Sequence, residues 1–421
     1  MKMIGIMAVG NELTSGMIQD TNSSFIAREL GAEGWGVSGA VLVGDDEAGI
    51  ARMLRYLMAN SDAVIVTGGL GPTVDDITTE AVAKALGRDI FTDAAALAQL
   101  KAAFEAFNLA WTENNAKQAM FPAGADIIEN TVGTAPGFIV IHDGIPVAVI
   151  PGVPREAERM LTDGVITRFR RELGTTGART VRKTVKTFGL TESALADKLK
   201  GLEEAFPQAQ IGYYPRFPEN HIVITVKGSD AAALDETLSA AARWITERLG
   251  KYVFGYDDDT LEGVVAALLT ERKLTLAVAE SLTGGLITDR LTNVPGSSRF
   301  FERGVVVYSN RSKEELLSVP HEVLETKGAV SSEAARLMAE GVRTIAKTDI
   351  GVATTGIAGP AGGTAEKPVG LVYVAIADGR TTWCRQFQFR WERRRIKEIT
   401  AQVAIEFVRR LLVGVDIGDG E

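Results

Sequence analysis

Ala63-Val64-Ile65-Val66-Thr67-Gly68-Gly69-Leu70-Gly71-Pro72-Thr73-Val74-Asp75-Asp76 decides how the first part of this chain folds. Ala63 to Val66 is an unbroken apolar run and reads as a buried strand. Ile77-Thr78-Thr79-Glu80-Ala81-Val82-Ala83-Lys84-Ala85-Leu86, just beyond, has helical spacing. Between them, three glycines let the backbone turn sharply with N–H groups facing an anion, and the helix start adds a favourable dipole. Gly68, Gly69, Gly71 and Thr73 are therefore candidate phosphate ligands. Asp75 and Asp76 would bring a hard cation to the same place. The competing reading makes them an ordinary acidic first turn.

Working outward, residues 4–9 and 37–43 repeat the strand pattern, and residues 22–30 and 47–59 repeat the helical one. Such alternation predicts a doubly wound α/β sheet, with ligands beyond the carboxyl ends of the strands. Gly10-Asn11-Glu12-Leu13-Thr14-Ser15-Gly16 lies at another such end and leads to Asp20-Thr21-Asn22. Asn11 and Asn22 join the candidate substrate contacts. Glu12, Asp20, Asp75 and Asp76 are expected to meet at one sheet edge and hold an oxygen-ligated divalent ion, magnesium- or cobalt-like, with Asp76 catalytic through it. Pro151-Gly152-Val153-Pro154-Arg155-Glu156 is a third, weaker stop-and-start signal.

Composition narrows the class. Of 421 residues, 46% are hydrophobic and 24% charged, as in an ordinary globular protein. The net charge of -9 lacks the basic footprint of a general nucleic-acid binder. A single cysteine, Cys384, excludes an intramolecular disulfide or a Cys-rich zinc site. The apolar start is too short for a signal peptide and no run spans a bilayer, so a cytoplasmic location is expected.

Residues 180–188 and 221–227 alternate like strands, while 192–200 and 231–249 look helical, a small α+β unit. Gly174-Thr175-Thr176-Gly177 has the GxxG spacing of a KH loop, but it lies between a helix and a strand and reads as a linker. A third region opens near Tyr256, contains a buried strand at 274–278, and closes with an amphipathic helix through Ile396, Ile399, Val403, Phe407 and Leu411.

Ala279-Glu280-Ser281-Leu282-Thr283-Gly284-Gly285 follows that strand and precedes a helix. Ser281 on such a turn has the parts of a nucleophile, with oxyanion donors in the backbone around Thr283, Gly284 and Gly285. Alternatively Ser281 or Thr283 only caps the helix. Of three histidines, His142, His221 and His321, only the last lies in this region, on an exposed helix start after Pro320. Lysine is the better base. Tyr308-Ser309-Asn310-Arg311-Ser312-Lys313 supplies Lys313, Tyr308 for proton movement and Asn310 for substrate. Thr354-Thr355-Gly356-Ile357-Ala358-Gly359-Pro360-Ala361-Gly362-Gly363 is a further loop, with Gly356, Gly359, Gly362 and Gly363 able to close on a phosphate. Arg393-Arg394-Arg395 opens the last helix and offers an anion contact or a solvated face.

These motifs, in order along essentially the whole chain, resemble the CinA (competence/damage-inducible protein A) family. The resemblance implies a molybdopterin-binding-like domain over 1–172, a KH-like connecting domain over 173–255 and a nicotinamide-nucleotide amidase domain over 256–421. It implies a homodimer with two activities: cofactor-free deamidation of nicotinamide mononucleotide, and metal-dependent cleavage of ADP-ribose to AMP and ribose 5-phosphate. Alternatives are a molybdopterin nucleotidyl transferase, by analogy of fold, and a non-catalytic partner in DNA uptake. Trp391-Glu392-Arg393 departs from the Gly-Asp-Arg common in the family.

Overall fold

Continuous burial from Ile4 onward in Met3–Val9 (β1) organises the first sheet. Ile4 and Ile6 enter one core, Met7 and Val9 the other, so the strand is covered on both faces. Gly36–Val43 (β2) and Ala63–Thr67 (β3) flank it in parallel. A two-stranded ribbon, Ile90–Thr92 (β4) with Met120–Pro122 (β5), is a separate addition. Asp126–Ile128 (β6), Gly137–His142 (β7) and Ile145–Ile150 (β8) complete the sheet in the order β2-β1-β3-β8-β7-β6. Only β6/β7 and β7/β8 are antiparallel. From β1 the chain crosses towards β2, and from β3 it continues towards β8. The crevice between β1 and β3 is therefore a topological switch point.

Two middle-region strands were legible in the sequence, and the described residues form four: Arg179–Thr187 (β9), Ala209–Arg216 (β10), Glu219–Gly228 (β11) and Val253–Tyr256 (β12), ordered β10-β11-β9-β12. Pro215 and exposed side chains mark β10 as an edge strand, which carries little periodic signal. Thr175 and Thr176 of the GxxG segment lie outside the described residues.

The last region has a second two-faced sheet. Leu276–Glu280 (β13) pairs in parallel with Phe301–Val306 (β14) and Ile350–Gly356 (β15); Leu371–Ala377 (β16) and Thr382–Gln388 (β17) extend it antiparallel. Val278 packs under the helices Leu261–Arg272 and Arg393–Val413, whereas Ala277 and Ala279 face Ser332–Ala346. The sequence expectation of a doubly wound domain, a small α+β unit and a second α/β domain describes this architecture. The computed structural model describes all residues except 175, 176, 178 and 418–421. They group as two units, Met1–Val181 with Thr225–Glu236, and Arg182–Ile224 with Thr237–Glu421. Among the described residues no helix is long and apolar enough to cross a membrane.

Candidate active sites

At the switch point, the three turns read from the sequence line one cavity of about 450 Å³. Glu12, Asp20, Asn22, Gly68, Gly69, Gly71 and Asp76 all face it, joined by Glu156 from the third turn. Gly68 has φ +105°, and a Cβ there would stand 2.2 Å from the carbonyl oxygen of Val9, so the β1 and β3 turns touch backbone to backbone. Asn22 is spent on structure: its Nδ2 donates to Thr67 Oγ1 at 3.0 Å and to the Gly152 carbonyl at 2.9 Å. Asn11 exchanges two hydrogen bonds with Asp45 and does not line the cavity.

The carboxylates divide. Glu12 curls over Gly10 and Asp76 over Gly71, each where a Cβ would come within 2.4 Å of a carboxylate oxygen. Asp76 also accepts from Thr73 N at 2.9 Å, which folds the loop on itself and leaves the helix at Thr78–Ala85 without a side-chain cap. Thr73 thus serves Asp76. Asp75 is exposed and off the cavity lining, so it does not join the other three. Among the described residues no three acidic, His or Cys side chains converge as a ready-made metal cluster. Burial, then repulsion from Glu12, Asp75 and Asp76, pushes the carboxyl of Asp45 up. Burial likewise raises Glu156, against a 2.7 Å hydrogen bond from Asn130. The negative charge gathered around Asp45 fits a cation; sequence reading passed over Asp45, although Gly44-Asp45-Asp46 follows a parallel strand as the other turns do. Gln118 Oε1 is buried on the same cavity without a partner, an orphan acceptor that a ligand donor would satisfy.

In the second unit, the carboxyl ends of β13, β14 and β15 carry the other three motifs to one edge. Ser281 N donates to the Thr354 carbonyl at 3.0 Å and Val307 N to the Glu280 carbonyl at 2.8 Å, so sheet hydrogen bonding continues into the turns. Lys313, on the helix Asn310–Leu317, is 1% exposed and so is a core residue, not a surface lysine. Its Nζ donates to the carbonyls of Val307 at 2.8 Å and Tyr308 at 3.3 Å, and lies 3.4 Å from Ser281 Oγ. A neutral lysine has two N–H groups and one lone pair. With the two carbonyls taking the N–H groups, the lone pair is left for the serine hydroxyl. Burial lowers the Lys313 pKa from 10.5 to about 8.

Neither Ser281 nor Thr283 caps the following helix. That task falls to Glu280, fully buried, whose carboxylate accepts from the N–H groups of Gly285, Ile287 and Thr288 and from Thr288 Oγ1 at 2.8–3.1 Å. This corrects the expected oxyanion donors: the N–H of Gly285 belongs to Glu280. Leu282, Thr283 and Gly284 have N–H groups without a hydrogen bond to the described residues. Thr283 Oγ1 pairs with Thr354 Oγ1 at 2.8 Å beneath the turn. Gly284 and Gly285 hold φ of +60° and +93°, a left-handed pair that side chains would strain.

Tyr308 reaches Lys313 only through its carbonyl; its hydroxyl points outward and accepts from Arg393 Nη2 at 3.3 Å. Arg393 also donates to the Gly359 carbonyl at 2.8 Å, so the Trp391-Glu392-Arg393 variation keeps the arginine at the site. Asn310 is exposed at the first turn of its helix. Gly356 serves the sheet, where a Cβ would meet the Leu371 carbonyl oxygen at 2.6 Å; Gly362 and Gly363 lie in an exposed loop. A Cβ at Gly284 would lie 3.5 Å from Lys397 Nζ. Lys397 went unread, although it stands four residues after Arg393 on the same helix face. His321 is exposed and bonded to Glu314 at 2.8 Å, away from this chemistry.

Comparison with known proteins covers nearly the whole chain. Residues 5–171 match the family model "Probable molybdopterin binding domain", 182–255 the "Damage-inducible protein CinA KH domain", and 258–412 the "CinA C-terminal domain". A CinA-like protein of Syntrophus aciditrophicus is 50% identical over 97% of this chain and 98% of its own. Another, from Geotalea uraniireducens, is 40% identical over 98% of each. Among solved structures, a competence/damage inducible protein of Agrobacterium tumefaciens is 39% identical, covering 36% of this chain and 93% of that one at TM-score 0.35.

Proposed function

Because the chain belongs to the CinA family, we propose that it is a hydrolase with two separate sites, the C-terminal one deamidating nicotinamide mononucleotide. The supporting observation is the buried Lys313, whose Nζ is held by two carbonyls 3.4 Å from Ser281 Oγ. Lys313 takes the serine proton as Ser281 Oγ attacks the carboxamide carbon. The oxyanion that forms faces the N–H groups of Leu282, Thr283 and Gly284. Collapse returns the proton to the nitrogen, breaks the C–N bond and expels ammonia. Water, deprotonated by the same lysine, then releases the carboxylate and restores Ser281. Arg393, Lys397 and the left-handed glycine turn form a cationic rim suited to the substrate phosphate.

At the N-terminal site the reading is hydrolysis of ADP-ribose. Glu12 and Asp76, with Asp45 behind them, would hold a divalent ion that neutralises a pyrophosphate. The backbone of Gly68, Gly69 and Gly71 would hold the non-bridging oxygens, and Glu156, its carboxyl raised by burial, would take a proton from water.

Ammonia release from nicotinamide mononucleotide by the purified protein tests the first reading. Ser281→Ala is expected to abolish it and to leave ADP-ribose cleavage near wild type. Undiminished ammonia release in that variant would reject the nucleophile.

A further inference from the structure

The second unit holds a cavity of about 640 Å³ that neither proposed reaction uses. One wall is an aromatic ladder running off β17: Phe387 stacks on Phe389 at 5.5 Å and 12°, and Phe389 on Trp391 at 5.7 Å and 28°. Phe217 closes on Trp391 edge-first at 5.2 Å, and both rings are more than a third exposed. Flat aromatic surface left open to a cavity favours stacking of a planar ring.

The charges on the lining are unbalanced. Its two acids are engaged: Glu406 accepts from Arg409 and Arg410 at 2.7–2.9 Å, and Glu219 from Gln402 at 2.9 Å with His221 at 3.0 Å. Arg410, on the lining, shares Glu406 with Arg409, so that carboxylate faces two guanidinium groups. Lys251 and Arg385 have no carboxylate partner among the described residues. Arg385 lies over Phe387 at 5.3 Å, and its Nε is buried without a hydrogen-bond partner. A buried donor of this kind is satisfied by a bound acceptor, and an anion does it best.

Cations beside a stacking wall define the ligand. We propose that this cavity binds a small aromatic phosphate of the mononucleotide class, its ring on the Phe389–Trp391 ladder and its phosphate on Arg385, Arg410 and Lys251. The site is independent of the two reactions above, and its test does not measure turnover. Adenosine 5′-monophosphate is titrated into the full chain in the presence of chelator, followed by calorimetry and by tryptophan emission. A saturable site is expected, at least tenfold weaker for adenosine, which lacks the phosphate, and for ribose 5-phosphate, which lacks the ring. Arg385→Gln should weaken it at least tenfold. Trp391→Phe, which keeps an aromatic wall, should retain binding but lose the emission change. Equal isotherms for wild type and Arg385→Gln, or ribose 5-phosphate binding as tightly as the nucleotide, would overturn the assignment. If Arg385→Gln unfolds, the emission test decides alone: a titration with the same emission change in wild type and Trp391→Phe excludes a ligand at this wall.

Discussion

Replacing Lys313 by methionine separates its two effects, on proton transfer and on stability. With a pKa of about 8 in place of 10.5, roughly a tenth of the side chain is neutral at pH 7, about 300 times more than for a solvated lysine. The rate of ammonia release at low substrate should therefore climb about tenfold per pH unit below 8 and level off above it. Lys313→Met should lower it by a factor of about 10² to 10⁴ at pH 8 and remove the slope. Stability follows a different course. The folded pKa lies below the unfolded one, so between pH 8 and 10.5 the unfolded chain binds more protons, and stability rises with pH across that window. The gain is at most about 3 kcal/mol. Below pH 8 both states are charged, and the whole penalty of burying the ammonium remains. The stability difference between wild type and Lys313→Met, from urea melts at pH 7 and pH 10, should move in favour of wild type by up to that amount. A flat difference, or a rate already level at pH 6.5, would refute the argument that Lys313 is a desolvated base.

Four other substitutions probe the remaining geometry. Glu280→Gln puts an amide among the four donors its carboxylate now serves, and should cost about 3 kcal/mol in denaturant melts with a loss of ammonia release near 10²-fold. Asp76→Asn should stop ADP-ribose cleavage as a chelator does, with ammonia release unchanged in both cases; cleavage surviving both would remove the metal from the proposal. Gly68→Ala forces a Cβ to 2.2 Å from the Val9 carbonyl at a positive φ, and should destabilise by about 2 kcal/mol or more in the same melts while abolishing ADP-ribose cleavage. His321→Ala should leave ammonia release within twofold of wild type; a large loss would return the base to histidine.

The turns were legible because glycine and strand ends mark them. Gly68-Gly69-Leu70-Gly71 and Ser281-Leu282-Thr283-Gly284-Gly285 both stand at carboxyl ends of parallel strands, where doubly wound topology puts ligands. Direction of side chains was not legible. Nothing in the spacing tells that Asp75 faces solvent while its neighbour folds back on Thr73, or that the Tyr308 hydroxyl turns away to Arg393. The role of Glu280 was not legible either, since a carboxylate ending a buried strand takes meaning only from the helix that comes to rest on it. Asp45 and Lys397 reach their sites by packing across elements, which periodicity within one element does not report.

Glu280 also bears on how a substrate gets in. Its carboxylate ties the strand end to the first turn of the next helix, and the adjoining peptide is tied to Thr354, so Ser281 is anchored from both sides. That wall cannot swing without breaking several buried bonds at once. Residues 361–366, beyond the end of β15, are by contrast exposed throughout. In hydrogen exchange, the amides of Gly285, Ile287 and Thr288 should be among the last to give up their protons, and the Gly362–Gly363 loop among the first. The turn bearing Ser281 is the held part of this sheet edge, and the Gly362–Gly363 loop its exposed part.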